Sequence, residues 1–348
     1  MNNIVFKTKE LSIKKENKIL ITGGAGFIGH HLIEKLLSTT SCNIISLDRL
    51  DTSGNLSRIE HVLQLNPAWK KRIKLVWHDL KAPLNQMVRK SIGEGITHVL
   101  HLAAGSHVDR SIENPMEFVY DNVVGTGNIL EYCRLHLKDS LEFFLYFSTD
   151  EVFGPAPDGV IYKEDDRYRC NNPYAATKAG AEELCVAFEN TYKMPIIISH
   201  TMNVFGNRQH PEKFIPKVIG NIIEGKKTFI HADETCTIPG SRHYIHSEDV
   251  ADAVLFLMQN HTVGEKYNIV GKEEVNNLEL AEMIAQILDC DLDYELIDFH
   301  SVRPGHDLRY AISGVKMKKL GWEPSRILRD SLQEVITWTL QYPEWYEI

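Results

Sequence analysis

The feature that most constrains the fold of this 348-residue chain is a glycine-rich turn between an apolar strand and a helix. Residues 18–22 are strand-like and apolar, and residues 23–29 read GGAGFIG. Residues 27–38 carry apolar side chains at helical spacing, and residues 43–47 form a second apolar run that ends at Asp48. Strand, glycine turn, helix, strand and acid within about 30 residues are typical of a βαβ unit. We therefore predict an α/β fold built on a doubly wound parallel sheet.

The glycine turn also predicts a dinucleotide site. Gly24, Gly26 and Gly29 satisfy the spacing G-x-G-x-x-G, which lets the backbone approach a pyrophosphate at the N-terminus of a helix. Asp48 is placed to accept hydrogen bonds from an adenosine ribose and would repel a 2′-phosphate, so NAD is favoured over NADP. The neighbouring Arg49 works against that preference. The alternative is a glycine turn that binds no ligand.

More α/β units follow the first one. Further strand-like runs lie at residues 73–77, 97–102, 141–147 and 194–199, and helices are predicted from Pro115 to about His136, from Pro173, and near 214–224, 247–259 and 277–288. This pattern predicts a Rossmann-type sheet with a smaller, interleaved C-terminal substrate-binding lobe. We divide the chain into a flexible N-terminal extension at 1–17, an NAD-binding domain at 18–201 and a mainly substrate-binding lobe at 202–348. Parts of about 240–270 are expected to return to the NAD-binding domain.

Composition limits the other classes of function. The formal net charge of −9 argues against a nucleic-acid or anionic-membrane partner. No apolar run reaches the roughly 18 residues that span a bilayer, and the polar N-terminus does not resemble a secretion signal. The six cysteines form no C-x-x-C pair and the sixteen histidines no metal-ligand spacing. We therefore expect reduced thiols, a cytoplasmic location and no metal.

A second stretch carries reactive side chains. Residues 148–154 read STDEVFG and follow a buried apolar strand, so their polar groups should lie at the edge where open sheets bind ligands. Pro173 suits a first helical turn, and Tyr174 and Lys178 are four residues apart on one helix face. A hydroxyl, two carboxyls, a phenol and an amine at one cleft indicate proton and hydride chemistry. The alternative for Asp150 and Glu151 is a solvated pair on a loop.

Together these motifs resemble the extended short-chain dehydrogenases/reductases, and among them the nucleotide-sugar 4,6-dehydratases of the dTDP-glucose type. The resemblance runs from about residue 18 to the C-terminus and rests on LDRL at 47–50, GN at 54–55, HLAAGSHVDRS at 101–111, STDEVFG at 148–154, NPYAATK at 172–178, NVFG at 203–206, PEKFIP at 211–216 and RPGHD at 303–307. The adjacent acids are its most specific part, since related epimerases typically carry small or hydroxyl residues there. Gly105 and Asp121 replace the family's usual glutamate and threonine, and the segment 231–246 is longer than in relatives.

The resemblance implies a mechanism. Tyr174 would take the proton of the sugar 4-hydroxyl, its pKa lowered by Lys178 and by the charge of the nicotinamide, while hydride leaves C4 for NAD. Thr149 would hydrogen-bond the same oxygen. Glu151 would then remove the C5 proton, and Asp150 would protonate the departing 6-hydroxyl. The product would be a 4-keto-6-deoxy sugar nucleotide, with NAD retained through each turnover.

The resemblance also implies two sets of binding residues. The NAD set comprises Gly23, Gly26, Phe27, Ile28, Gly29, Asp48, Arg49, Asp79, Leu80, Leu102, Ala103, Ala104, Ser106, Tyr174 and Lys178. The sugar-nucleotide set comprises Ser106, Thr149, Asn203, Glu212, Lys213, Phe214, Ile215, Arg242, Asn277, Arg303 and His306. A homodimer through a four-helix bundle of the Pro115 and Pro173 helices is expected. The alternatives are a related 4-epimerase, a dehydratase of other regiochemistry, or a non-catalytic NAD-binding protein.

Overall fold

A computed structural model describes residues 17–51, 53–298 and 308–346 of the chain. Two predicted substrate residues, Arg303 and His306, lie outside the described residues, as does most of the predicted N-terminal extension. Across the described ranges, no helix combines the length and the apolar character needed to cross a membrane.

The core of the fold is a seven-stranded parallel sheet, which confirms the predicted doubly wound architecture. Its strands are β1 (Lys18–Thr22), β2 (Asn43–Asp48), β3 (Ile73–Trp77), β4 (His98–His101), β5 (Phe143–Thr149), β6 (Ile196–Thr201) and β10 (Lys266–Ile269). They lie in the order β10-β6-β5-β4-β1-β2-β3. The chain reverses its direction of winding between β1 and β4, and in such sheets ligands bind at that point, outside the carboxyl ends of the strands.

Helices cover both faces of this sheet. One face packs against α1 (Phe27–Thr39), α2 (Leu56–Leu65) and α9 (Ser247–Leu257). The other packs against α3 (Gln86–Ile92), α6 (Gly125–His136) and α7 (Pro173–Tyr192). All seven residues of β5 are buried, as expected of a central strand covered on both faces.

The helix predicted from Pro115 to about His136 is present, with a π-helical segment inside it and a short helix before it. Two short helices, α4 (Val108–Glu113) and α5 (Pro115–Phe118), precede a π-helical turn at Val119–Val124. Within that turn the Asn122 side chain accepts from the Gly105 N–H at 2.8 Å and donates to the Gly105 carbonyl at 3.1 Å. It also donates to Thr177 of α7 at 2.9 Å. The turn therefore fastens the loop after β4 to the helix that carries Tyr174.

A smaller lobe stands over the carboxyl edge of the large sheet. It contains a three-stranded sheet of β11 (Glu274–Asn276), β9 (Ser241–His246) and β7 (Asn203–Phe205), and a pair of parallel strands, β8 (Thr228–Ala232) and β12 (Tyr294–Asp298). The helices α8 (Phe214–Ile223), α10 (Asn277–Leu288) and α12 (Leu328–Gln341) share one apolar core with these strands. The helix α11 (Val315–Leu320) instead packs toward the large sheet through Met317. A cleft of about 1220 Å³ lies between the sheet edge and the lobe.

Candidate active site

The two acids lie where β5 ends, on a short 3₁₀ turn at Asp150–Phe153. The strand runs to Thr149, two residues further than the predicted apolar run, so the Thr149 side chain belongs to the strand end itself. Asn172 connects this turn to α7. Its Oδ1 accepts from the Ala175 N–H at 2.8 Å as the helix cap, and its Nδ2 donates to Glu151 Oε2 at 3.0 Å. The cap of the helix thereby also fixes the Glu151 carboxylate.

The carboxyl of Asp150 is almost fully enclosed, with 3% of the residue exposed. Its Oδ1 accepts from the Thr149 hydroxyl at 3.1 Å, and its Oδ2 has no hydrogen-bond partner among the described residues. Burial, followed by the negative charge of Glu151, raises the pKa of Asp150 to about 7, and the charge of Arg242 acts in the opposite direction. Such a carboxyl carries a proton through much of the neutral range, as a general acid must.

In the polypeptide without cofactor, the pKa of Tyr174 lies above its usual value. The phenol is buried, and burial followed by the charge of Glu151 raises its pKa, while a hydrogen bond with Thr149 lowers it in part. The upward shift comes from desolvation of the phenolate and from the charges of Glu151 and Asp150. The lowered pKa is predicted for the protein with NAD bound, where the charge of the nicotinamide also acts on the phenol, so it stays a prediction.

Lys178 is buried one helical turn after Tyr174. Its ammonium donates to the Phe147 carbonyl at 2.7 Å and lies 4.3 Å from the centre of the Tyr146 ring. Burial lowers the pKa of Lys178 to about 8, and the charge of Glu182 acts in the opposite direction. The amine therefore changes between its charged and neutral forms just above physiological pH.

The glycine turn has the close contacts that exclude larger residues. A Cβ on Gly29 would lie 2.2 Å from the Gly23 carbonyl oxygen, and one on Gly23 would lie 2.8 Å from the Ala103 nitrogen. Gly23 also has a φ of 71°, a conformation that favours glycine. The helix α1 begins after Gly26 without a side-chain cap. Its first N–H groups therefore remain available to an anion in the cleft.

Asp48, the last residue of β2, and its neighbour Arg49 are held by different partners. Asp48 accepts from the Ala25 N–H at 3.0 Å and the Leu50 N–H at 2.9 Å. Arg49 pairs through both terminal nitrogens with the Asp121 carboxylate, at 2.5 Å and 2.9 Å. Asp121, the residue that departs from the family's usual threonine, is the residue that fixes the arginine. A guanidinium already bound to a carboxylate is less available to a 2′-phosphate.

The lobe brings the predicted sugar-nucleotide residues to the far end of the cleft. Glu212 accepts from Arg110 at 2.9 Å, which joins the lobe to α4. Tyr244 donates to Asn277 at 2.9 Å. Arg242 is 4% exposed and stacks its guanidinium 4.5 Å from the centre of the Tyr310 ring. This end of the cleft therefore combines cations, amides and aromatic rings.

The structure brings together nearly all of the predicted residues. The lining of the one cleft includes every predicted NAD residue, and also Thr149, Glu151, Asn203, Glu212, Lys213, Phe214, Ile215, Arg242 and Asn277. Among the described residues, Asp150 is the exception: it is buried and does not line the cleft, although its neighbours Thr149 and Glu151 do. No group of three or more histidine, cysteine or acidic side chains among the described residues could hold a metal ion.

Sequence reasoning missed three residues that support the site. Asn172 belongs to the NPYAATK motif, and the pair Asn172-Pro173 is typical of a helix start. Its hydrogen bond to Glu151 cannot be predicted from the sequence. Glu182 follows Lys178 by four residues, so helical register places it on the same face. For Asp121, the signal in the sequence is that it replaces the threonine that is usual in the family.

This sheet order, the glycine turn and the Tyr-x-x-x-Lys pair define the class of extended short-chain dehydrogenases/reductases. The chain belongs to the family described as GDP-mannose 4,6 dehydratase, whose profile matches residues 20–335. The resemblance inferred from the motifs is thereby confirmed.

Individual relatives span the fold to different extents. The chain is 34% identical over 360 residues to dTDP-glucose 4,6-dehydratase of Escherichia coli, covering 95% of each chain. It is 36% identical over 332 residues to a trifunctional UDP-glucose 4,6-dehydratase/epimerase/reductase of Arabidopsis thaliana. That alignment covers 94% of this chain but only 48% of the plant protein. The chain thus spans about half the length of that protein. The crystal structure of a Streptomyces venezuelae dTDP-glucose 4,6-dehydratase with NAD and TYD bound matches with a TM-score of 0.83 at 31% identity, covering 95% and 99% of the two chains.

Proposed function

We propose that this protein is an NAD-dependent nucleotide-sugar 4,6-dehydratase. It would convert an NDP-hexose, of the dTDP-glucose or UDP-glucose type, to the NDP-4-keto-6-deoxyhexose. The observation that carries the proposal is the pair of neighbouring acids: a buried Asp150 with a pKa of about 7 beside Glu151 on the cleft. Elimination of water needs one acid and one base at adjacent carbons, and unlike environments allow two carboxyls to fill the two roles.

The cleft fits NAD at its glycine-rich end. The uncapped N-terminus of α1 suits the pyrophosphate, and Asp48 suits the adenosine ribose. The close contacts at Gly23 and Gly29 leave no room for larger side chains on the turn. The related Streptomyces structure contains NAD. When bound, NAD would accept a hydride from C4 of the hexose and return one to C6.

The chain's own residues would supply the proton transfers. Tyr174 takes the proton of the 4-hydroxyl, with Thr149 hydrogen-bonded to the same oxygen. The 4-ketone acidifies the C5 proton, which Glu151 removes as general base while its other side is held by Asn172. Asp150 donates its proton to the departing 6-hydroxyl, so the Asp150 Oδ2 that lacks a partner gains one from the substrate.

Two cations of the cleft would bind the substrate diphosphate. Lys213 and Arg242 both line the lobe end of the cleft, and arginine can bind a phosphate through paired hydrogen bonds. Arg303 and His306 remain predictions, because they lie outside the described residues. The nucleobase and the sugar are left open between the dTDP- and UDP-glucose types.

Incubation of the purified protein with candidate nucleotide sugars in deuterated water tests the proposal. We expect loss of one water from the sugar and deuterium at C5, read by mass spectrometry and proton NMR. An inverted C4 without a change of mass would instead identify a 4-epimerase. Binding of NAD with no change in any nucleotide sugar would identify a non-catalytic protein.

Variants of the two acids separate their roles. Glu151→Gln should abolish deuterium exchange at C5 and water loss together. Asp150→Asn should keep C5 exchange while losing water elimination by about 10²- to 10⁴-fold, the usual contribution of a general acid. Tyr174→Phe should abolish turnover and spare NAD binding. Water loss at the wild-type rate in Asp150→Asn would remove Asp150 from the mechanism.

We further propose a homodimer that pairs the helical stretch 115–136 and α7 with their copies. Met116, Tyr120 and Val124 follow one another at intervals of four residues and are 57%, 48% and 37% exposed. Large apolar side chains in such a row are typical of a buried interface. Native mass spectrometry should show a dimer, and Tyr120→Glu a monomer. Leu320→Glu, at an exposed site on α11, is the matched control that should leave the dimer intact.

We also propose that the protein works in a reducing compartment such as the cytoplasm. All six cysteines are unpaired with one another, and three of them, Cys42, Cys133 and Cys185, are buried. Burial raises the pKa of each of these three thiols, which makes them unreactive. Activity is measured with and without a reducing agent, and mass spectrometry of the alkylated protein detects any disulfide. Equal activity together with a disulfide in the untreated protein would contradict this proposal.

A further inference from the structure

A second group of ionisable side chains lies behind β5, the strand that ends at Thr149, and does not line the cleft. Glu182 of α7 and His200 of β6 are both 0% exposed, and His200 Nε2 lies 3.2 Å from Glu182 Oε2. No step of the proposed reaction uses either residue. A buried charged pair costs desolvation free energy and often adds nothing to stability, so its presence calls for a reason.

Four structural elements meet at this pair. Ser148 at the end of β5 donates to Glu182 Oε1, and Tyr168 donates to Glu182 Oε2. His200 Nδ1 lies 2.9 Å from Asn268 Oδ1 on β10. Burial alone would raise the pKa of Glu182, but the charge of His200 and the hydrogen bonds from His200, Ser148 and Tyr168 lower it below its usual value. Glu182 is therefore a carboxylate in the interior.

This carboxylate lies one helical turn after the catalytic amine on α7. Tyr174, Lys178 and Glu182 follow one another at intervals of four residues, on one face of α7, and all three are buried. The Lys178 ammonium has the Phe147 carbonyl as its hydrogen-bond acceptor. Among the charges around Lys178, that of Glu182 acts most strongly to raise its pKa against the effect of burial.

The same group supports both ends of the acidic turn. Ser148 directly precedes Thr149 and is bonded to Glu182. Phe153, the last residue of the turn, places its ring edge-on to His200, with centroids 4.8 Å apart. Asp150 and Glu151 therefore lie on a turn whose start and finish both rest on the buried pair.

We propose that Glu182, held by His200, is a positioning residue that supplies the counter-charge for the Lys178 ammonium and fixes the strand end carrying the two acids. The proposal rests on the proposed dehydratase function and names what keeps that site in its working charge state. With this carboxylate neutralised, the buried amine loses the charge that most favours its protonated form and gives up its proton at lower pH. The charged form of Lys178 is the one that can stabilise a Tyr174 phenolate.

Other titratable groups around the pair complete the electrostatic setting. His101, Cys185 and Glu182 interact with the charge of Lys178, and Tyr174 lies one turn before it on α7. Glu182 is faced by His200, by Tyr168 and by Lys266, whose ammonium lies 3.8 Å from it. Of the neighbours of Lys178, only Glu182 is an acidic residue on the same helix face.

The test compares Glu182→Gln with the wild-type holoenzyme. If the titration of Lys178 moves down by about one pH unit from about 8, we expect kcat to fall about twofold near pH 7 and about tenfold near pH 9. KM should change little, and the alkaline limb of the kcat profile should move to lower pH. Glu182→Asp should restore part of kcat. Glu183→Gln, the same change at the next, exposed residue of α7, is the matched control and should keep the wild-type profile.

A second readout does not depend on activity. In protein labelled with ¹³C-lysine, the Lys178 resonance, assigned with Lys178→Arg, should titrate at lower pH in Glu182→Gln than in the wild type. This separates the two proposals: absence of dehydratase turnover in the wild type refutes the proposed function, while an unchanged Lys178 titration refutes this inference. A variant that is less stable but keeps the wild-type kcat profile also overturns it, because Glu182 is then only structural.

Tyr168→Phe tests the same idea with a smaller change if Glu182→Gln does not fold. Loss of the Tyr168 hydroxyl removes one donor from the Glu182 carboxylate, so that carboxylate should accept a proton at higher pH. The acidic limb of kcat should then move upward. An acidic limb that stays in place contradicts the proposal.

Discussion

Substitution of Asp150 by asparagine should stabilise the protein while removing its ability to expel water. In the folded chain, burial and the charge of Glu151 raise the pKa of Asp150 from 3.8 to about 7. That difference corresponds to about 4 kcal/mol of folding free energy lost when the carboxyl is ionised in both states. Asparagine removes this penalty. Its amide hydrogens, however, would lie where Oδ2 has no hydrogen-bond partner among the described residues, and a buried donor without an acceptor costs about 1–3 kcal/mol. The net gain should be about 1–3 kcal/mol at alkaline pH.

The sign of the pH dependence follows from proton binding. The folded state holds the Asp150 proton more tightly than the unfolded state, so wild-type stability falls as pH rises from about 4 to about 7. Asp150→Asn lacks this titration. Its advantage over the wild type should therefore grow across that interval and stay constant above it. At about pH 5 most of the gain should have disappeared.

Urea denaturation of both proteins at about pH 5 and about pH 8 measures this difference. Asp158→Asn, at an exposed aspartate of the following loop, is the control and should show the same stability difference at both values. A stability difference for Asp150→Asn that does not change with pH would refute the reasoning, because the carboxyl would then not be a buried acid.

Two further substitutions test how the site is held. Asn172→Ala should lower stability by about 1 kcal/mol through the lost helix cap and should slow deuterium exchange at C5, because Glu151 loses its amide donor; denaturation and exchange measured on one preparation check both effects. Gly29→Ala places a methyl group 2.2 Å from the Gly23 carbonyl oxygen, so the purified protein should lose NAD in native mass spectra. Gly314→Ala, whose methyl group would meet nothing closer than 3.5 Å, should retain it.

Local sequence signals were enough to predict the frame of the site. The glycine turn, the position of Asp48 at the end of β2 and the four-residue interval between Tyr174 and Lys178 are short-range patterns. Each has one structural solution in a βαβ fold, since the strand and helix periods fix where the side chains point. The fold class followed from the same patterns.

The electrostatics of the site could not be read from those patterns. The bidentate pairing of Arg49 with Asp121 joins residues 72 positions apart, and the motif around Arg49 carries no sign of it. The direction of the Tyr174 pKa depends on how completely the phenol is desolvated and on the nearby carboxyls. Both are results of packing between distant segments, which residue types and spacing do not specify.

Two enclosed carboxyls of this protein show what decides the difference between an acid and a fixed charge. Asp150 and Glu182 are 3% and 0% exposed, so desolvation acts on both. Glu182 receives hydrogen bonds from Ser148, Tyr168 and His200, and its pKa falls below the usual value. Asp150 accepts from the Thr149 hydroxyl, and its other oxygen has no hydrogen-bond partner in the part of the chain that the structure describes; burial and the charge of Glu151 raise its pKa. Both carboxyls are buried, so neighbouring charges and donors decide the difference. The charge of His200 and three donors keep Glu182 charged, whereas the charge of Glu151 and fewer donors leave Asp150 with the raised pKa that a general acid needs.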